Sequence, residues 1–367
     1  MNDKVPFVNY PLQYRNLEKE IDEAVKRVLS EGQLILRGDV EQFEKNLAQF
    51  LGVKYVIGLN SGTDALILSL KAAGIGSGDE VITVSHSFWA SIEAILHVGA
   101  TPVLVDVRED FLIDPDEVEK VVTQKTKAIL PVHLNGRACD MGRIMEIAKK
   151  HNLLVIEDSA QALGAVNSSK KAGSFGVAGC FSFYPAKILG AAGDGGAVCS
   201  NDESIAEKVQ LLRGHGIKSK TEIVMPGFTS RLDNLQAAIL NVKLPYLPKW
   251  IASRRDIAKI YEEGLRDLKG VKTPPPPEQS PNFDVYQNYV LKAQNRDELY
   301  NYLKKQGVET LIKDPVANHR QTGLGLESFS LPFTEQLAQE VISLPMYPEL
   351  TKDQVDYVIE CVRDFYS

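Results

Sequence analysis

Apolar residues recur at helical spacing near the start of the chain. Leu17, Ile21, Val25, Val28 and Leu29 fall in NLEKEIDEAVKRVLSEG with charges between them, which predicts an amphipathic helix. Phe43, Leu47, Phe50 and Leu51 mark a second. A regular alternation follows. Short apolar runs at 81–85, 102–107, 128–133 and 153–158 read as buried strands, with helical patterns at 63–73, 88–98, 114–123 and 140–150. Such strand–helix–strand repetition predicts a mainly parallel sheet covered by helices on both faces. Two further strands, at 179–184 and 196–200, follow with a shorter connection.

Helical patterning resumes at 202–214 and 231–242. Pro245 and Pro248 then predict a break before a new helix near Ile251. TPPPPEQSP at 273–281 reads as an extended surface connector. The remainder, 284–367, mixes strand-like and helical pieces such as VYQNYVLKA and RDELYNYLKKQG. The expectation is a large α/β domain followed by a smaller α+β domain, with the boundary placed at 1–248 and 249–367.

Composition narrows the class. The 367 residues suit about two domains. With 44% apolar and 24% charged residues the chain is ordinary globular protein, not disordered, collagenous or coiled coil. Its 41 basic and 48 acidic residues give a net charge of −7, which lacks the footprint of a nucleic-acid binder. An anionic membrane surface gains no support either. Cys139, Cys180, Cys199 and Cys361 lie far apart without a CxxC pair, so neither a metal site nor a disulfide framework is expected. Reduced thiols fit a cytoplasmic protein. The most apolar stretch, Trp89 to Val107, is broken by Glu93 and His97, so no membrane span is expected. MNDKVPFVNYPLQ has no apolar signal core.

The glycine clusters carry the candidate chemistry. GIGSGDEV at 74–81 superficially matches a dinucleotide fingerprint, but it follows a helix and leads into a strand, the reverse of the required order. It reads as a helix end and turn. Asn60-Ser61-Gly62-Thr63 instead opens a helix, where free N–H groups bind phosphate; alone it is equally an ordinary N-cap. Glu157-Asp158 ends a predicted strand, and acids at strand carboxyl ends lie where open α/β sheets bind ligands. SFYPAK at 182–187 puts Lys187 between apolar strands, before the glycine-rich turn GDGG at 193–196. A lysine in a partly apolar site becomes a usable amine nucleophile. Cradle, acid and lysine together are the parts a pyridoxal phosphate enzyme needs.

With these residues in view, the chain resembles the DegT/DnrJ/EryC/StrS group of sugar aminotransferases. The resemblance runs from GQLILRGDVEQFEKNLAQFLG (32–52) through LNSGTDAL, HSFWAS, PVHLNG, IEDSAQALGA, SFYPAKILGAAGDGGAV, LRGHG and SRLDNLQAAIL to LPMYPELT (344–351). It implies fold type I: a mainly parallel seven-stranded sheet flanked by helices, with a smaller α+β C-terminal domain. It implies pyridoxal 5'-phosphate as cofactor, alternating with pyridoxamine 5'-phosphate. Lys187 would bond to the cofactor and carry the proton, and Asp158 would pair with its ring nitrogen. Gln161 would lie near the ring hydroxyl. Gly62, Thr63 and Ser182 would hold the phosphate. Phe88 would stack on the ring, with Trp89 as the alternative.

Two departures stand out. Thr229 replaces the usual Asn that reaches the neighbouring subunit's phosphate, and Asn135 replaces the Tyr often found in PVHLYG. LIKDPVANHRQ at 311–321 also departs from the usual pattern, leaving Lys313 and His319, with Asn135 and Arg231, as candidate substrate contacts. The implied reaction moves an amino group from L-glutamate to a keto sugar on a nucleoside diphosphate, at C3 by the SFYPAK…GDGG form, for amino-sugar or glycan biosynthesis. C4 action or a non-catalytic regulator of the same fold are the alternatives. A dehydratase branch replaces the lysine with His, and Lys187 argues against it. A homodimer with shared sites is implied.

Overall fold

The structure, a computed structural model, describes residues 4–277 and 282–367. Seven strands form the central sheet: β1 (Tyr55–Leu59), β2 (Glu80–Val84), β3 (Thr101–Val105), β4 (Thr126–Ile129), β5 (Leu154–Asp158), β6 (Ala178–Ser182) and β7 (Gly196–Ser200). Their order is β1-β7-β6-β5-β4-β2-β3. Only β7 runs antiparallel to its neighbours. The carboxyl ends of the other six therefore share one edge, together with the start of β7.

Burial on both faces explains the apolar strands. Along β6, Cys180 packs on one face while Phe181 packs on the other, as the two-residue period of a strand requires. One face is covered by α3 (Gly62–Ala72), α4 (Ala90–His97), α6 (Met141–His151) and α7 (Glu203–Leu212), with Leu66, Ile95, Ile144 and Val209 in the core. The other is covered by α1 (Tyr10–Glu31), α2 (Gly38–Leu51) and α8 (Asn234–Lys243), through Leu17, Phe43, Leu47 and Leu240. The short helix α5 (Pro115–Lys120) is capped by Asp114.

A third core lies towards the C-terminus. Strands β8 (Val271–Lys272), β9 (Tyr289–Ala293) and β10 (Val341–Leu344) form an antiparallel sheet. Tyr261 of α9 (Leu247–Leu265), Leu299 of α10 (Arg296–Lys305) and Val358 of α12 (Lys352–Tyr366) pack on it. Helix α11 (Pro332–Glu340) leads into β10. No described helix is long and apolar enough to cross a membrane.

Several expectations change. β1 carries no predicted strand, because Gly58 interrupts a run of five residues. Its omission matters, since β1 delivers Ser61 and Gly62 to the sheet edge. The break expected at 243–250 is only a 3-10 turn at Leu244–Tyr246, and α9 starts at Leu247 with Pro248 in its first turn. Proline is tolerated there because the first helical N–H groups have no partners. The boundary expected after residue 248 thus falls inside a helix. The run at 128–133 leaves the sheet after Ile129, though Val132 still bridges Asp158. Of the connector expected at 273–281, residues 278–281 lie outside the described residues.

Candidate active site

The shared strand edge borders a cavity of about 660 Å³. β1 leads into α3, and Ser61 caps that helix by accepting from the Asp64 N–H at 3.0 Å. The Gly62 and Thr63 N–H groups of the first turn have no partner within the helix, and both residues line the cavity. The cap therefore leaves these N–H groups facing the cavity. Gly62 also lies hard against β6: a Cβ there would come within 2.7 Å of Ser182 Cβ. Gly196 opens β7 equally closely, since its Cβ would meet Ser61 O at 2.2 Å. These two glycines let three strand ends converge on the helix N-terminus.

Asp158 ends β5 and is 7% exposed. Its Oδ2 accepts from Ser91 Oγ at 2.7 Å and its Oδ1 from the Ala160 N–H at 3.1 Å. The carboxylate is thereby fixed at the cavity wall. Its neighbour Glu157 points elsewhere. It is fully buried and accepts from the N–H groups of Gly173, Phe175 and Gly176. His133 Nε2 also donates to Glu157 at 2.9 Å, since Nδ1 accepts from the Cys139 N–H.

Lys187 sits in the turn after β6 and lines the cavity with Asp158. Its N–H donates to Tyr184 O at 2.8 Å, but its ammonium makes no hydrogen bond or ion pair among the described residues. Burial lowers its pKa, while the Asp158 charge pulls the other way. The result is a loose amine with a raised neutral fraction.

A polar network forms the opposite side. Gln161 Oε1 accepts from the Asn135 N–H at 2.9 Å and from Asn288 Nδ2 at 3.2 Å. Asn135 has φ 57°, a left-handed conformation that Asn tolerates better than Tyr, which gives the replacement in PVHLNG a backbone reason. Lys313 Nζ donates to Asn288 Oδ1 at 3.0 Å.

The cavity thus gathers Gly62, Thr63, Phe88, Asn135, Asp158, Gln161, Ser182, Lys187 and Lys313. Phe88 lines it at 50% exposure; the Trp89 ring lies tilted beside Phe88 at 4.7 Å between centroids and does not line it. Thr229 and Arg231 lie outside it in this chain, with Thr229 Oγ1 2.8 Å from His215 Nε2. His319 corrects the sequence reading. Its ring is fully buried, with Nδ1 on Ser85 Oγ at 2.8 Å and Nε2 on Glu335 Oε1 at 3.1 Å. Both nitrogens are engaged, so it cannot reach a substrate. Sequence reasoning missed Ser91, Gln287, Asn288 and, ahead of α1, Phe7 and Val8, of which all but Ser91 line the cavity. Phe7, Val8, Gln287 and Asn288 sit in none of the motifs that carry the resemblance, and Ser91 ends HSFWAS, where nothing local shows that it reaches Asp158.

With the geometry in place, comparisons define its kin. The DegT/DnrJ/EryC1/StrS aminotransferase family model matches residues 15–363. A pleiotropic regulatory protein of Geobacillus stearothermophilus is 43% identical, covering 99% of this chain and 98% of its own. The dTDP-3-amino-3,4,6-trideoxy-alpha-D-glucose transaminase of Micromonospora megalomicea subsp. nigra is 43% identical, covering 97% of each. The crystal structure of DesV from S. venezuelae, in complex with a ketimine intermediate, superposes with a TM-score of 0.96 at 39% identity. That match covers 100% of this chain and 99% of DesV.

Proposed function

Because the chain belongs to the DegT/DnrJ/EryC1/StrS aminotransferase family, whose aminotransferases depend on pyridoxal 5'-phosphate, we propose that it transfers an amino group from L-glutamate to C3 of a keto sugar carried on a nucleoside diphosphate. The observation that carries this reading is the Lys187 amine, unpaired among the described residues, in one cavity with the fixed Asp158 carboxylate and the open N-terminus of α3. The same three features fit the cofactor: an amine to bond it, a carboxylate for its ring nitrogen, and N–H donors for its phosphate.

Pyridoxal phosphate, when bound, supplies a carbonyl that bonds amines and a ring that withdraws electrons from the substrate carbon. The protein supplies the rest. Gly62 and Thr63 N–H groups with Ser182 hold the phosphate. Asp158, kept in place by Ser91 and Ala160, presents a negative charge to the ring nitrogen. Gln161, whose carbonyl is engaged by Asn135 and Asn288, keeps its amide N–H₂ available for the ring hydroxyl. Phe88 at the cavity wall offers a face for stacking. Lys187 Nζ, with its lowered pKa, would carry the proton between the amine-bearing carbon of the substrate and the cofactor's carbonyl carbon.

C3 action draws support from the SFYPAK…GDGG form and from the Micromonospora relative, which is named for a 3-amino sugar. The regulator reading leaves Lys187 and its lowered pKa without a use. We also read the active unit as a homodimer, with Thr229 and Arg231 available to the partner's site because they lie outside this chain's own cavity. Light scattering checks the dimer; a fully active monomer removes it.

The experiment is direct. Purified protein loaded with the cofactor should absorb in the visible, and L-glutamate should bleach that band in wild type but not in Lys187→Ala. A panel of nucleotide keto sugars, with position-resolved analysis of the amino product, then decides C3 against C4. A protein that takes up no cofactor sinks the reading.

A further inference from the structure

Any amino-acid donor brings a carboxylate one bond from the carbon that bears its amine. The amine must arrive where Lys187 Nζ acts, so the carboxylate must enter the same cavity. An unpaired carboxylate there is strongly disfavoured. Among the described residues lining the cavity, Lys187 and Lys313 are the only lysine or arginine side chains. Lys187 is committed to the chemistry. Arg231 lies outside the cavity, and His319 is locked between Ser85 and Glu335.

We propose that Lys313, held on Asn288, anchors the α-carboxylate of the amino-acid donor. The proposal rests on the aminotransferase reading above and adds a named contact to it. The ammonium has three donors, and its one hydrogen bond among the described residues is to Asn288 Oδ1 at 3.0 Å. Two donors remain for a ligand. The amide that holds it is itself fixed, because Asn288 Nδ2 donates to Asn135 Oδ1 at 3.1 Å and Gln161 Oε1 at 3.2 Å. Lys313 is thus tied in position to the residue placed against the cofactor ring. Burial, reinforced by the Lys187 charge, lowers the Lys313 pKa to about 8, so it stays largely cationic at neutral pH. Asp314 also lines the cavity, and burial raises its pKa while the Lys313 charge pulls the other way. Its φ of 50° is a conformation non-glycine residues rarely hold unless the surroundings impose it. Lys313 has no ion pair among the described residues.

A carboxylate on the acceptor sugar offers the same chemistry, and the two half-reactions tell the sources apart. Cofactor-loaded wild type, Lys313→Met and Lys313→Arg are titrated with L-glutamate without sugar, following the visible band. In Lys313→Met the half-saturating glutamate concentration should rise about tenfold or more, with Lys313→Arg recovering most of it. The KM for the nucleotide keto sugar should stay within about twofold. Calorimetry with glutarate, a dicarboxylate that cannot react, should show binding to wild type that Lys313→Met loses. Equal glutamate titrations, a change confined to the sugar KM, or glutarate binding that is absent from wild type or equal in both proteins would each overturn the proposal. A wild type unmoved by any amino acid sinks the aminotransferase reading instead, while glutarate still decides the anchor. Unchanged cofactor uptake in Lys313→Met shows that the variant folds.

Discussion

Gln287 grips the backbone on both sides of Lys187. Its Oε1 accepts from the Ile188 N–H at 2.8 Å, and its Nε2 donates to Ala186 O at 2.7 Å. The Lys187 amine has no side-chain partner among the described residues, so its aim depends on its backbone. Gln287 comes from a distant part of the chain, just before β9, and is 7% exposed. One amide therefore couples the C-terminal sheet to the backbone that carries Lys187.

Gln287→Ala should leave two buried backbone groups short of partners and cost about 1–3 kcal/mol in denaturant unfolding. More telling is the rate at which glutamate bleaches the visible band, which should fall about tenfold or more as Lys187 loses its aim. Stability lost with no change in that rate would make Gln287 purely structural.

Glu157 is a sharper test of packing. Four donors converge on its carboxylate: three backbone N–H groups and His133 Nε2. Glu157→Ala orphans all four in a dry site, and the expected loss is about 3–5 kcal/mol. Glu157→Gln keeps the shape but sets an amide N–H₂ against donors, so an intermediate loss is expected. Equal stability of all three by urea unfolding contradicts this picture.

Much of the candidate site was legible because the residues that share its cavity carry local signals. Asp158 ends a strand, Lys187 precedes a glycine turn, and Gly62 opens a helix, each within a few residues of its own context. The six predicted strands needed only apolar runs. What escaped was non-local. Gln287 and Asn288 look like ordinary polar residues until the C-terminal sheet folds against the large one. Ser91 reads as a helix-start serine; only the crossing of α4 and β5 aims it at Asp158. His319 misled for the same reason, since nothing local shows that Ser85 and Glu335 bury it. Gly58 hid β1, and Pro248 exaggerated a break that a helix start absorbs.

Lys243 ties the turn after Lys187 to α8 by donating to Gly190 O at 2.7 Å, with Gln13 Oε1 at 3.1 Å. Burial lowers its pKa from 10.5 to about 8, with Glu349 opposing. Between those values the unfolded chain binds more protons than the folded one, so this group makes stability rise with pH across the window and fall as pH drops towards 8. The full swing is of order 3 kcal/mol. Lys243→Met should flatten the curve, and Lys313, also lowered to about 8, should leave part of the slope. Urea unfolding of both proteins from pH 7.5 to 10 reads the difference; parallel curves would place the shift elsewhere.

Gly62 and Gly76 separate a glycine required by contact from one that is not. An added Cβ at Gly76 finds nothing nearer than Val98 O at 3.6 Å, an ordinary contact. At Gly62 it meets Ser182 Cβ at 2.7 Å and Ser182 Cα at 3.3 Å. Neither is the loose end of a flexible side chain, so α3 or the end of β6 must move by several tenths of an ångström. That movement opens the space between the N–H groups of α3 and Ser182, where the phosphate is proposed to sit. Gly62→Ala should therefore weaken pyridoxal phosphate binding about tenfold or more, read by fluorescence titration of the cofactor-free protein. Gly76→Ala should bind the cofactor normally and gain slightly in stability, about 0.4–1 kcal/mol, through the unfolded chain. Ala at 62 is offered the same entropic gain, so only the contact with Ser182 can separate the two variants. Normal cofactor binding in both would remove the helix N-terminus as the phosphate site.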